Sequence, residues 1–384
     1  MRAELSSSLR PLASKMLAVQ SRPSLQSRHS VDASRMLAVQ FSVRILIMKF
    51  AKLLIVAAIS MSFFSASAFS QWVKQNVDTK ASLRGLSVVS EKVVWASGTG
   101  GTVSRTVDGG ATWKVFAVPG AEKLDFRDIE AFDENTAYIL SIGNGDSSRI
   151  YKTTDGGATW KQQFVGTQKE TFFDAIACWD RTNCLAMSDP VEGHYVLIST
   201  TDGETWKQIK SNKMPAARDG EAAFAASGTC LIANGKTDAY IVSGGDAARV
   251  FRSSDRGQTW TVFNTPMISG TSGSGIFSIA MRDGKTGVIV GGNYERPTEN
   301  KANLAFTTDS GTTWTPGKGL GGYRSGVVYV DDKTIVAVGS GGSDISNDGG
   351  KTWKAIDTVN YNSVQARGIK AVWAVGPQGL ITKL

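Results

Sequence analysis

Few residues in this chain have the type and spacing to do chemistry. Beyond residue 68 there is one histidine, His194, and no GxSxG elbow accompanies it. A Ser-His-Asp or Cys-His nucleophile therefore lacks its parts. Cys178, Cys184 and Cys230 form no CxxC or CxxH pair, and no Asp-rich loop has EF-hand spacing. The reading accordingly expects no metal and no cofactor. What remains is carboxyl and guanidinium chemistry. Asp128, Asp174, Glu221 and Glu295 could furnish the two carboxyls that glycoside hydrolysis needs. Arg84, Arg127 and Arg324 could clamp a carboxylate through bidentate pairing.

The elements that must carry these residues are repeated. "RTVDGGATWK" at 105–114 returns as "KTTDGGATWK" at 152–161, and shorter or altered copies end at Trp206, Trp260, Trp314 and Trp353. A repeat of this period has to be read before any single residue, because it decides the fold. Around the first copy the chain runs "LRGLSVV" (83–89), "KVVWASG" (92–98), "TVSRTVD" (102–108) and "TWKVFAV" (112–118). The second of these is apolar almost throughout, as are "TAYILSIG", "GVIVGG", "TIVAVG" and "AVWAVG" later on. Near-continuous apolar strands are covered on both faces, whereas alternating strands have one face in water. Four strands with the second one sandwiched describe a propeller blade, so the expected fold is all-β, a β-propeller.

The repeated unit S/T-x-D-x-G-x-T-W closes the turn between the third and fourth strands. Its Asp (Asp108, Asp155, Asp202, Asp255, Asp309 and Asp348) can accept N–H groups of its own turn, and Gly supplies positive φ. Its Trp (Trp113, Trp160, Trp206, Trp260, Trp314 and Trp353) is expected to pack beneath that turn. The third copy is one residue short between Asp202 and Thr205. This unit resembles the Asp-box, or BNR, repeat of sialidases and of photosystem II stability/assembly factor-like proteins. In such proteins the box is structural and lies on the rim opposite the ligand face.

After Trp353 the chain has enough residues for three strands but not a fourth, while "QWVKQNV" (71–77) reads like the strand that follows a box. Trp72 lies 41 residues before Trp113, within the spacing of the other tryptophans. The ring is therefore expected to have seven blades, the last completed by the N-terminal strand, which removes exposed sheet edges. Loops leading into first strands, and those between second and third strands, then share the face away from the boxes. Arg84, Arg127, Asp128, Asp174, Glu221 and Arg324 fall at the starts of first strands. Asp189 and His194 lie in "MSDPVEGHY" (187–195), Tyr294 and Glu295 in "GGNYERPTENKAN" (291–303), and Arg218 in the extended approach to the fourth blade (212–221). Blades three to five should raise one wall of the channel mouth. Charges at such a mouth are ordinarily solvated or paired with one another.

Residues 1–68 carry nine Lys/Arg against two Asp/Glu, whereas 69–384 carry 33 against 32. The basic balance thus belongs to the leader, and the body has no field for phosphates, which argues against nucleic acid. From Met48, "MKFAKLLIVAAISMSFFSASA" has the charged start, short apolar run and small-residue end of a signal peptide. An uncleaved anchor is the alternative, although the run is short for a membrane span. Upstream, "SKMLAVQ" (14–20) recurs as "SRMLAVQ" (34–40). Either Met48 is the true initiator, or residues 1–47 form an organellar transit peptide. The expected organisation is an upstream extension (1–47), disordered or not translated, a signal peptide (48–68) and the propeller (69–384). The mature protein would be exported, periplasmic or secreted, or else lumenal if 1–47 is a transit peptide. An exported chain could bridge Cys178 and Cys184 across "WDRTN", leaving Cys230 buried.

Two functions fit. One is a sialidase-like glycoside hydrolase, but the Phe/Tyr-Arg-Ile-Pro signature is missing and "FRDI" (126–129) and "YRSG" (323–326) are partial echoes. Sialidases are also six-bladed. The preferred reading follows from resemblance to the exported assembly-factor-like group. It implies a non-enzymatic, monomeric binder of another protein or peptide, with no stable membrane span after signal cleavage. Arg84, Arg127 and Arg324 would grip acidic groups, and Tyr294 and His194 would offer flat contact area.

Overall fold

In the computed structural model, Met36, Phe41, Arg44, Met48 and residues 71–210 and 213–384 are described. The chain divides into two units, Met1–Phe69 and Ser70–Leu384. In the first, the four described residues are helical and exposed. The extension and signal-peptide readings otherwise lie outside the described residues. No helix among the described residues is long and apolar enough to cross a membrane.

The second unit is a seven-bladed β-propeller. Blade 1 contains Leu83–Val88, Val94–Gly98, Thr102–Thr106 and Lys114–Ala117 as an antiparallel meander. Blades 2 to 6 repeat it from first strands at Asp125–Ala131, Phe173–Cys178, Leu231–Asn234, Ser274–Met281 and Gly326–Tyr329. Second strands such as Val94–Gly98, Ile335–Gly339 and Val372–Val375 are buried along their whole length, while fourth strands such as Lys114–Ala117 are largely exposed. That gradient is why the sequence alternates between continuous and patchy apolar runs. Blade 7 takes Ser363–Ala366, Val372–Val375 and Ile381–Lys383 from the C-terminus and Val73–Lys74 from the other end. Val73 pairs with Lys383 and Lys74 with Thr382. Trp72 fastens the seam: its Nε1 donates to Ser343 Oγ at 2.9 Å in blade 6, and its ring lies 5.4 Å from that of Tyr361.

The boxes are staples of one design. In the first, Thr106 Oγ1 donates to Asp108 Oδ1 (2.8 Å), and Asp108 accepts from Thr112 N (2.9 Å) and Thr112 Oγ1 (2.5 Å). The same bonds recur at Asp155, Asp255, Asp309 and Asp348. In the short third copy Asp202 accepts from the N–H groups of Glu204 and Thr205 instead. These bonds hold the box carboxyls below the usual range, with the Thr hydroxyl and N–H donors as the leading cause at Asp108. The tryptophans do more than sit beneath their turns. Trp113 meets Trp373 edge-on at 5.7 Å, Trp160 meets Trp95 at 6.5 Å and Trp206 meets Tyr138 at 6.1 Å. Each contact joins a box to the second strand of the preceding blade, so the boxes also lock neighbours together.

The regular plan breaks between blades 4 and 5. Ahead of blade 4, Glu221–Ala222 pairs with Gly244–Gly245, and Gly244 pairs in turn with Gly275 of blade 5. A Cβ on Gly275 would lie 2.2 Å from Gly244 Cα, so this backbone contact requires glycine.

A candidate binding site at the channel mouth

Blade 4 departs from its siblings because the chain between Ala222 and Leu231 runs across the propeller axis. Ala223 N donates to Asp189 Oδ1 of blade 3 (2.8 Å). Arg127 Nη1 of blade 2 donates to Ala225 O (3.1 Å) and Arg84 Nη1 of blade 1 to Ala226 O (3.0 Å). Ser227 Oγ donates to Ser325 O at the start of blade 6, and Ser363 Oγ of blade 7 donates to Ser227 O. Thr229 Oγ1 meets Ser278 Oγ of blade 5 at 2.6 Å. A segment bonded to all six other blades can only lie on their common axis. It plugs the channel.

The plug separates two cavities. The upper, of about 500 Å³, opens on the face opposite the boxes; Arg84, Arg127, Asp174, Asp189 and Tyr294 line it, with the plug from Ala223 to Ala226 as its floor. The lower, of about 420 Å³, opens beside the turns between first and second strands, and Gly228 and Thr229 form its roof.

The upper cavity has a charged side and an aromatic side. Phe224 of the plug stacks on Phe277 with centroids 3.8 Å apart, and Tyr323 meets Phe277 edge-on at 4.7 Å. Tyr294 closes this cluster from above and stays half exposed. Opposite, Arg127 Nε is bonded to Asp125 at 2.8 Å. Arg84 forms no ion pair with a carboxylate among the described residues. Burial, and then the neighbouring Arg127 charge, pull its pKa down. Asp174 and Asp189 lie on the neighbouring first and second strands of blade 3 and both line the cavity, and burial followed by the Asp189 charge holds the Asp174 carboxyl well above its usual range. Burial also pushes Asp189 up to about 6. Two neighbouring buried carboxyls do not both ionise readily, because like charges there repel strongly, so the pair keeps a proton.

The remaining sequence candidates lie elsewhere, and the reason is pairing. Glu221 is buried and accepts Arg249 Nη2 at 2.5 Å, Ser243 Oγ at 2.5 Å and Arg218 N at 2.8 Å. Arg324 is buried against Asp344 at 2.5 Å and donates to Tyr323 O. Asp128 points to the lower cavity, accepting N–H groups from Ile129 and Ile176, each at 2.8 Å, and burial pushes it up to about 7. Asp128 and Arg324 stand at first-strand starts, whereas Glu221 lies in the short strand Glu221–Ala222 ahead of blade 4, whose first strand begins only at Leu231; all three brace the ring and none lines the upper cavity. His194 lies in a tight hairpin outside the upper cavity. The stretch read as a loop (187–195) is instead a continuation of the strands Cys184–Val191 and His194–Thr200 around Glu192–Gly193. Arg218 and Glu295 are exposed and also lie outside the cavity. Cys178 and Cys184 are cross-strand partners joined by a disulfide, and Cys230 is free and buried. Among the described residues no group of three His, Cys, Asp or Glu side chains is placed to hold a metal ion.

Phe172, Phe224, Phe277 and Tyr323 were missed by the sequence reading. The signal for Phe277 was "GIFSIA" (275–280), where an aromatic begins a first strand and its ring must meet the channel.

Fold and staples together define the class: this chain is an Asp-box β-propeller of seven blades. The BNR/Asp-box repeat family matches residues 344–355, the box that ends at Trp353. Its fold resembles that of YCF48. A structure of YCF48 bound to a D1 peptide aligns with TM-score 0.58 and 16% identity, covering 83% of this chain and 98% of that one. YCF48 from Cyanidioschyzon merolae gives TM-score 0.61 and 18% identity over 82% and 99%. The GH74 enzyme of Niastella koreensis gives 0.54 and 16%, over 82% of this chain but 53% of its own. At these identities the likeness is one of fold. No curated protein sequence matches the chain significantly.

Proposed function

We propose that this propeller is a non-enzymatic binding module that receives a segment of another protein at the upper cavity. The observation that carries the reading is Arg84, a half-buried guanidinium that lines the cavity and forms no ion pair with a carboxylate among the described residues. A withdrawn charge of this kind gains most from a desolvated anion, and a planar fork suits a carboxylate. The aromatic side adds flat apolar area for the ligand's neighbouring residues, the mixture that concentrates binding energy at protein interfaces. Support also comes from the fold likeness to a YCF48 structure that holds a D1 peptide. The ligand segment would present an Asp, Glu or terminal carboxylate beside an apolar or aromatic residue. The propeller would work outside the cytoplasm as a monomer, a setting that the leader composition and the Cys178–Cys184 bridge favour.

The glycosidase alternative is not favoured. Hydrolysis of a glycoside needs two carboxyls roughly 5–9 Å apart with sugar and water between them. Here Asp174 and Asp189 lie side by side on neighbouring strands, Glu221 is tied to Arg249 and Asp128 faces the other cavity.

The test is affinity capture from the exported fraction of the native cell, comparing wild type with R84Q and R127Q. A partner held by wild type should fall at least about tenfold with R84Q, the worth of roughly one charged hydrogen bond. Retention should also weaken with salt. A partner retained equally by wild type and by both variants, each melting normally, would remove the upper cavity from the function.

A further inference from the structure

We propose that the axial plug Ala223–Thr229 is a gate, latched by the Asp174–Asp189 carboxyl pair, whose opening joins the two cavities into one channel. The inference is independent of what the upper cavity binds.

Three features of the segment suit it to move. Its side chains are small except for Phe224, and Ala225, Ala226 and Ser227 are tied to the surrounding blades by hydrogen bonds. Two glycines at positive φ, Gly220 ahead of the segment at 69° and Gly228 near its end at 76°, stand where other residues are strained. Space exists above and below it. Apart from Phe224 the segment buries only small side chains, and such elements open at lower cost than the core around them.

The latch lies at the N-terminal end. Asp189 Oδ1 accepts Ala223 N–H, and Asp174 lies beside Asp189 on the neighbouring strand, both lining the upper cavity. Asp174 is 1% exposed, and its buried Oδ2 has no hydrogen-bond partner among the described residues. The facing groups offer little relief if the shared proton leaves. Arg127 is already engaged by Asp125 and Ala225, and Arg84 by Ala226. Tyr195 and Cys230 are buried neutral neighbours, Glu221 is neutralised by Arg249, and Asp128 adds a further acid from below. Two adjacent buried carboxylates would separate, and Asp189 cannot swing away without releasing Ala223. Opening therefore releases a proton, and rising pH favours it.

Cys230 is a native reporter, because it follows the plug directly, is fully buried and is the one free thiol. The experiment measures its alkylation by iodoacetamide in the full-length protein, without denaturant, from pH 6 to pH 8, alongside hydrogen exchange of residues 220–230. Thiolate formation alone gives about tenfold per pH unit, and a linked proton adds another tenfold, so the wild-type rate should rise about a hundredfold per unit. Asp189→Asn keeps an acceptor for Ala223 and donates to Asp174, imitating the protonated pair. It should return the slope to about tenfold and raise protection across 220–230 at pH 8. Asp174→Asn is the equivalent if Asp189→Asn does not fold. A wild-type slope of about tenfold, or alkylation that occurs only at the rate of global unfolding, overturns the proposal. So does a hundredfold slope that persists in the Asn variants.

Discussion

Replacing Glu221 by Gln tests whether the charges at the channel mouth are braces or ligands. Glu221 Oε1 accepts Ser243 Oγ (2.5 Å) and Arg249 Nε (2.9 Å), and Oε2 accepts Arg249 Nη2 (2.5 Å) and Arg218 N (2.8 Å). Both ion-pair side chains are buried, at 0% and 8% exposure. Gln keeps the size but leaves the Arg249 guanidinium in the interior without a counter-charge. Breaking one side of such a pair costs about 3–5 kcal/mol, a large part of the 5–15 kcal/mol that roughly bounds domain stability. Urea unfolding followed by tryptophan fluorescence should show that loss, with the slope on denaturant unchanged. In the double variant E221Q/R249M the buried charge is gone, so the two losses should fall short of additivity by about 2 kcal/mol or more. Additive losses, or a loss under about 1 kcal/mol for E221Q, would show that Glu221 is not a brace and return it to the ligand face.

Trp72→Ala removes the seam's hydrogen bond to Ser343 and its contact with Tyr361, and should lower stability by about 2–4 kcal/mol. Hydrogen exchange should place the first lost protection at Ile381–Lys383; uniform loss around the ring, or none, would contradict the closure. Stability should also depend on pH with an optimum on the acid side of neutral. Asp128 (about 7) and Asp189 (about 6) have folded pKa values above the ordinary carboxyl value, so the folded state holds their protons more tightly. Their contribution is complete at low pH and is lost as pH rises from about 4 to about 7. The box carboxyls are shifted the other way, so their contribution is lost as pH falls below about 4. Urea midpoints from pH 3 to pH 8 should therefore peak near pH 4–5, and D128N should flatten the alkaline limb. A midpoint that climbs steadily to pH 8 would refute the burial of these acids.

What the sequence disclosed was local. A box writes its own hydrogen bonds within eight residues, Thr106 to Trp113, and six copies at near-regular spacing leave little choice of architecture. The seam was legible for the same reason, since Trp72 stands in the place that a box tryptophan occupies elsewhere. Contacts between distant segments were not legible. Nothing in "RDGEAAF" says that Glu221 will meet Arg249, nor does "YRSG" point Arg324 at Asp344, so residues at equivalent strand starts looked like equivalent ligands. The plug left no periodic trace at all. "AAFAASG" is too small-sided for a core strand and too apolar for an ordinary loop, a combination explained only by a backbone that must approach Asp128 closely at Gly228.

The plug also explains why one ring of similar blades has one asymmetric site. Seven wedges built alike would present seven comparable strand starts to an open axis, and no direction across the mouth would differ from another. Laying the approach to blade 4 over the axis ends that equivalence. Its carbonyls at Ala225 and Ala226 orient the guanidiniums of blades 2 and 1, its N–H at Ala223 holds the carboxyl of blade 3, and Phe224 organises the aromatic residues of blades 5 and 6. The charged half and the aromatic half of the cavity are thus both assembled on the same seven residues. Their polarity follows the order of the blades around the plug, so the cavity is charged on the side of blades 1 to 3 and aromatic on the side of blades 5 and 6.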